Sequence, residues 1–343
     1  MHKIVISQLA ILCIIFITII PCAAFADEAA PLSFKTAKEA IAAASEFTEE
    51  EFDIGATDFT VDQLSKIRDA LPLGTRFTFS FKWCGATISS TDTAVDLNAS
   101  TKKSVSADQL RELIALLPDL KSINVVQHRE LGNKDMIPLV EEYTDIEFTW
   151  LIRLGRSYTL SSAATAYSTM KHASTGEELT SKKCEVLKYA PHLRALDLGH
   201  HQITTLDFLN DLPELRILIL ADNKIEDISQ LASLTHLQYA ELFFNKITDI
   251  TPLSGLTELL DLNLCWNKGL TDLSALDQCE SLERLWASYT GISDEEKEAF
   301  KEKHPGCETN FKVSSSTAGG WRDHPRYKQY ISMFKSHTWK EFE

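Results

Sequence analysis

The sequence lacks the signatures of chemistry. None of Gly-x-Ser-x-Gly, His-Glu-x-x-His or a glycine-rich phosphate loop occurs in its 343 residues, which removes the common routes to acyl transfer, zinc hydrolysis and phosphoryl transfer. Cys-x-x-Cys spacing is missing too. Of seven cysteines, Cys13 and Cys22 fall at the N-terminus, leaving Cys84, Cys184, Cys265, Cys279 and Cys307. This odd, scattered set makes neither a disulfide framework nor a zinc site. There is no basic stripe: 34 Lys and Arg stand against 49 Asp and Glu, for a formal charge of -15, so nucleic acid and anionic lipid are poor partners. Beyond the N-terminus no apolar run is long enough to span a bilayer. The 44% apolar content nevertheless supports a packed core.

The N-terminal run itself reads as a secretory leader. Met1-His2-Lys3 precedes an unbroken apolar stretch, Ile4 to Ile20, then Pro21 and the small-residue box Ala24-Phe25-Ala26. Cleavage is expected before Asp27, giving residues 1–26 as a signal peptide and a secreted or extracellular-surface protein without membrane insertion thereafter. The alternative is an uncleaved anchor. A lipoprotein signal through Cys22 is disfavoured by Pro21, where a small, flexible residue is required.

The middle of the chain repeats one pattern five times. Leucines fill the first, fourth and sixth places, a polar residue the ninth, and isoleucine or leucine the eleventh, fourteenth, seventeenth and twentieth. The copies open at Leu193, Leu215, Leu237, Leu259 and Leu282, in steps of 22, 22, 22 and 23 residues, with Gly269 the one insertion. A fixed period of this length predicts a solenoid, since no copy can bury its own leucines and stacking must supply the core. In the third copy Leu237, Leu242, Ile247, Ile250, Leu253 and Leu256 point inward, and Tyr239, Glu241 and Phe243 point out. Asn223, Asn245 and Asn267 hold the ninth place, where a buried amide can satisfy backbone groups left unpaired by the bend. His201 and Thr290 break that rule at the ends.

Read as Leu-x-x-Leu-x-Leu-x-x-Asn-x-Ile-x-x-Ile-x-x-Leu-x-x-Leu, as at Leu215 to Leu234, the pattern resembles the leucine-rich repeat family, in its bacterial 22-residue, internalin-type class. The resemblance implies an α/β solenoid: a curved slab of short parallel strands, turns and 3₁₀ or extended returns, whose strand face commonly binds proteins. It names no ligand.

Around the repeats (193–292) the chain divides further. Residues 27–59 read as an N-terminal helical cap, with a helix from Thr36 to Phe47 covering the open end of the core. Residues 60–192 hold two degenerate helix-strand modules related by offsets of 71 to 73. Phe77 to Trp83 parallels Phe148 to Leu154, Ile88-Ser89-Ser90 parallels Leu160-Ser161-Ser162, and Leu117 to Ile123 answers Ala190 to Leu196. Helices are expected over Val61–Leu71, Ala107–Leu117, Asp135–Tyr143 and Ser181–Tyr189. Ser293, with Glu296 three places on, opens a C-terminal cap helix within 293–308. An aromatic tail, 309–343, carries Tyr327, Tyr330, Ile331 and Phe334 at helical spacing, for either a helix docked on the slab or a free recognition tail.

The outward places of the last three copies define a candidate binding surface: Tyr239, Glu241, Phe243, Phe244, Asp261, Asn263, Trp266, Trp286 and Tyr289. Exposed aromatics in a cluster mark an interaction site. Either an outside partner uses them, or the tail or a second copy covers them. A protein or peptide ligand is expected first and a glycan second, because aromatics beside Asp and Asn suit sugar rings as well. A purely structural envelope component is the third possibility. No catalytic residue, metal or cofactor is assigned. His200-His201 would point to opposite faces of an extended chain, and Asp323-His324 lacks a third partner. Cys184 and Cys279 fall at core places, and Cys265 is either an inert small residue or a reactive thiol. Asn98-Ala99-Ser100 is a glycosylation sequon.

Overall fold

Strong N-caps set the helices of the first half. Thr60 and Ser106 accept from the backbone of Gln63 and Gln109, whose side chains return the bond. In the computed structural model, which describes residues 30–170 and 176–341, the chain runs through α1 (Ala37–Ser45), β1 (Glu51–Thr57), α2 (Val61–Ala70), β2 (Arg76–Trp83), β3 (Ala86–Ser89), β4 (Ala94–Asp96), α3 (Ala107–Leu116), β5 (Ser122–Asn124), α4 (Asn133–Glu142), β6 (Glu147–Thr149), β7 (Leu151–Arg153), β8 (Thr159–Ser161), β9 (Ala166–Ser168) and α5 (Ser181–Cys184). The leader expected over 1–26 lies outside the described residues. The stretch from Phe148 to Leu154, expected as one strand, is two. The break falls at Trp150, between a piece that pairs parallel with β5 and a piece that pairs antiparallel with β8. From Ser181 to Tyr189, where one helix was expected, a single α turn gives way to a 3₁₀ turn.

The two modules share their local bonding. Ser90 and Ser162 are both buried; each donates its N–H to a carbonyl, of Phe79 or Trp150, and accepts the same residue's N–H on its hydroxyl. The strands keep pace: Ala94 and Ala166 open β4 and β9, and Ser122 and Ala195 open β5 and the next strand.

Each of the five repeats then contributes one short strand: β10 (Ala195–Asp197), β11 (Ile217–Ile219), β12 (Tyr239–Glu241), β13 (Asp261–Asn263) and β14 (Arg284–Trp286). With β9 at one edge and β15 (Glu308–Asn310) at the other they form one seven-stranded parallel sheet in sequential order. The register repeats without slip, Ala195 beside Ile217, Ile217 beside Tyr239 and Tyr239 beside Asp261. A 3₁₀ turn follows each of the first four strands, and α6 (Asp294–Lys303), capped by Ser293, follows the fifth. The chain is thus a leucine-rich repeat solenoid of α/β class. Its principal core is the leucine stack, with Leu196, Leu218, Leu242, Leu264 and Leu285 all fully buried.

The ninth place closes each coil. Asn245 donates its amide to the carbonyls of Leu220 and Leu242 at 2.9 and 3.0 Å and accepts the Ile225 N–H at 3.0 Å. Asn223 and Asn267 make the same bonds one coil either side. His201 substitutes: its Nδ1 accepts the Leu179 N–H at 3.3 Å while Nε2 meets the Thr169 hydroxyl at 3.0 Å. In the first module the task is split between two side chains. His128 Nε2 bonds the Leu97 carbonyl, and Glu130, 3.0 Å from His128 Nδ1, accepts the Val105 N–H.

Replacing Asn245 by alanine should strand the Ile225 N–H, whereas the Leu220 and Leu242 carbonyls keep the amides of Asn223 and Asn267. Chemical denaturation should show a loss of about 1–3 kcal/mol, the cost of one unsatisfied buried group, while Lys246→Ala beside it stays near neutral. His201 predicts a pH dependence. Burial pushes its imidazole down from 6.5 to about 4, because a charged ring there would be desolvated and would lose its acceptor. Between those values the unfolded chain binds a proton that the folded chain refuses, so stability should fall as pH drops through the window, by at most about 3 kcal/mol. His201→Asn should abolish that slope relative to wild type; the opposing contribution of buried Asp197, whose carboxyl burial raises, is common to both proteins.

Candidate functional site

Beyond the repeats the chain folds back over its own sheet. After β15 a loop holding Gly319 and Gly320, both left-handed at φ 71° and 89°, leads into a 3₁₀ turn, Trp321–Asp323, and α7 (Pro325–Ser336). Glycine is required at 319: a Cβ there would lie 2.6 Å from the Asn310 amide and 2.9 Å from Val313. His324, one of the histidines considered for chemistry, caps α7 by accepting the Arg326 N–H.

This tail builds a second apolar core against the strand face. Trp321, Tyr330, Met333 and Phe334 pack with Ala195, Ile217, Tyr239, Phe243 and Trp286. The Trp321 ring lies 5.6 Å from that of Tyr239 and 5.2 Å from that of Trp286. Two fully buried carboxylates receive the tail's cations. Glu241 accepts from the Trp321 indole at 2.7 Å, from Arg322 at 3.3 Å and from the Tyr239 hydroxyl. Asp261 takes Arg326 in a two-pronged contact at 3.0 and 2.9 Å, with Arg284 at 3.5 Å. A paired guanidinium and carboxylate offset much of the cost of burying either alone. The Asn263 amide donates to the Ser316 carbonyl and the Trp286 indole to that of Ala318, at 2.8 and 3.0 Å.

The expectation of an open nine-residue surface is therefore corrected. Tyr239, Glu241, Phe243, Asp261, Asn263 and Trp286 do point away from the leucine core, but the tail covers them, with Phe243 the most accessible at 3%. Sequence spacing places a side chain on a face without saying what lies upon that face. Among the nine, Phe244 and Tyr289 are exposed, at 40% and 47%, and Trp266 is partly so.

These three occupy the eighth place of successive repeats and stack into a ladder. Phe244 and Trp266 have ring centroids 4.8 Å apart and Trp266 and Tyr289 3.9 Å, both pairs nearly parallel. The eighth place carries a backbone cost. His200, Asp222, Phe244, Trp266 and Tyr289 all have left-handed φ between 54° and 64°, because the chain must leave the sheet while its N–H still reaches the next strand, as Phe244 N–H does to the Cys265 carbonyl. Asp tolerates that conformation; bulky aromatics do so at about 1–2 kcal/mol each. His200 and Asp222, paired at 2.9 Å, end the column, and a cavity of about 230 Å³ separates this end from the tail, lined by His200, Asp222, Phe243, Phe244, Ser316, Thr317 and Arg322.

The other candidates resolve simply. His200 is exposed and His201 buried, so they do not converge, and no cluster of metal-ligating side chains occurs among the described residues. Cys265 is buried and burial pushes its thiol up to about 11, as it does for Cys279 and, to about 12, for Cys184; these are inert core residues. Asn98 is spent on Asp96 and the Gln127 backbone. One feature escaped the reading of the sequence: the tenth place is Lys224, Lys246 and Lys268 in the three copies with asparagine at the ninth. The signal was the same register, read one place further.

A family model for leucine-rich repeats, two copies, matches residues 191–233. No curated protein gives a match. Among solved structures, an internalin (inlF) from Listeria monocytogenes is 26% identical over 48% of this chain and 48% of its own, with a TM-score of 0.37; the chain thus spans about half the length of that protein. An internalin C2 (inlC2) from the same organism is 22% identical over 75% of this chain and 84% of its own, at 0.34. A leucine-rich repeat protein of Leptospira interrogans is 16% identical over 76% and 72%, at 0.32.

Because Trp321 joins both halves of the second core, Trp321→Ala should destabilise the protein by about 3–5 kcal/mol, read by chemical denaturation, and should raise the fluorescence of an apolar dye as Trp286 and Tyr239 are uncovered.

Proposed function

We propose that this leucine-rich repeat protein, built on 22-residue repeats of the bacterial internalin type, is a secreted or surface-exposed binding protein that engages a protein or peptide partner along the Phe244–Trp266–Tyr289 ladder. Secretion is supported by the leader pattern of Met1 to Ala26, and among the described residues no helix is long and apolar enough to cross a membrane. The observation that carries the binding reading is the conformational cost of the ladder. Three bulky aromatics hold left-handed positions, and two of them, Phe244 and Tyr289, stay exposed while Trp266 leans on the second core. Local strain retained at a surface marks a site whose use is not structural. Tyr239, Glu241, Phe243, Asp261, Asn263 and Trp286 are then the foundation that the tail grips, and the partner meets the rim they leave open.

The stacking also bears on the alternative ligand. A sugar ring packs on an aromatic face, and here the inner faces are spent on one another, at 4.8 and 3.9 Å. Trp266, stacked on both sides, has no ring face left for a sugar.

Phe244→Asn combined with Trp266→Asn keeps a residue at ease in the left-handed conformation, so circular dichroism and thermal unfolding should stay close to wild type. Affinity for a partner captured from cell-surface extracts should fall by at least about 2 kcal/mol, the scale of a binding hot spot. Unaltered capture by the folded double variant would move the site away from the ladder.

A further inference from the structure

We infer that the ladder's partner is an acidic polypeptide segment, one that alternates carboxylate and apolar side chains; this rests on the reading of the ladder as the binding rim. Two independent observations point there. The first is the row of lysines immediately beside the rings. Lys224, Lys246 and Lys268 are exposed at the tenth place of consecutive coils. Lys246 pairs with Glu226 at 2.8 Å and the Lys268 ammonium lies over the Trp266 ring, 5.9 Å from its centre, while Lys224 makes no ion pair among the described residues. In a chain of net charge -15, a row of exposed ammonium groups along an aromatic rail is complementary to carboxylates.

The second observation is the shared register of the rings, in which Trp266 stands between Phe244 and Tyr289 at interplanar angles of 11° and 14° and carries the Lys268 ammonium over its ring, so that an apolar row and a cationic row run side by side. The acidic groups nearby are otherwise engaged. Asp222 pairs with His200. Asp227, Asp249 and Asp272 lie beyond the bend and accept the N–H groups of Ser229, Thr251 and Ser274. An extended peptide lying across the coils would set apolar side chains against the rings and carboxylates against the lysines, in the periodic register that both rows share.

Two short synthetic peptides, one alternating Glu with Leu and the other Gln with Leu, serve as probes for titration against the full chain. The Glu peptide should bind at least tenfold more tightly than the Gln peptide, and that preference should vanish in Lys224→Gln/Lys246→Gln/Lys268→Gln, whose exposed substitutions leave the fold unchanged. Phe244→Asn/Trp266→Asn should lose both peptides. Equal binding of the two peptides, or a preference that survives the lysine substitutions, overturns the acidic-partner inference, and if both peptides are still lost in the aromatic variant the binding-rim reading stands alone. Peptides that ignore the aromatic substitutions, or that fail to bind, overturn the inference together with the use of the rim. Duplex DNA competing as well as the Glu peptide also overturns it, since a polyanion without apolar side chains would then suffice.

Discussion

The repeat stands or falls on one buried polar contact. Parallel strands of three residues are too short to hold themselves together, and the chain must turn out of each within two residues. The bend leaves a carbonyl on each side and an N–H one coil back without partners, at a depth water does not reach. Asn245 reaches all three, sharing the two carbonyls with Asn223 and Asn267. Where the chain departs from asparagine, the same groups are met by other means: His201 with Thr169, and His128 with Glu130 in the first module. The chemistry is kept while the residue changes, because an unsatisfied buried amide or carbonyl costs more than any one side chain contributes. The histidine solution has a consequence that asparagine does not: it is good only while the ring is neutral.

Holding the coils in register creates two surfaces. The inner one is leucine, and its burial is settled by the repeat itself. The outer one bears Tyr239, Trp286, Glu241 and Asp261, a mixture that would be costly in water as an apolar patch and costly in a core as bare carboxylates. The tail resolves both at once, laying Trp321 and Tyr330 on the aromatics and Arg322 and Arg326 on the acids. A contact with two fully buried tail aromatics and a two-pronged arginine pair is part of the fold and not an occasional cover. This removes the middle of the strand face as a meeting place for a partner.

What stays open lies at the edge of the sheet, where the chain passes through a left-handed residue on its way to the asparagine. That one backbone position ties together the ladder, its strain and its neighbours. It sets rings on adjacent coils at stacking distance and brings the following polar residue and then the lysine into parallel rows. The proposed rim is thus a by-product of the bend that the asparagine stabilises, furnished with residues that the bend does not need.

Much of this was legible in the sequence. The period gave the solenoid and its register, the alternation within each short strand told which side chains leave the leucine core, Ser293 marked a helix start, and Tyr327, Tyr330 and Phe334 pointed to a helical tail. All of these are local or recur every 22 residues, so the sequence states them several times. The closure of the strand face is stated once, by contacts such as Trp321 to Glu241, 80 residues apart, with no periodicity to record which surface the tail would choose. Only the tertiary structure decided that six of the nine expected binding residues are buried, that His201 does the work of an asparagine, and that Trp150 ends a strand. Each depends on what a side chain meets after the coils have stacked, and a sequence read one coil at a time contains the side chain but not the neighbour.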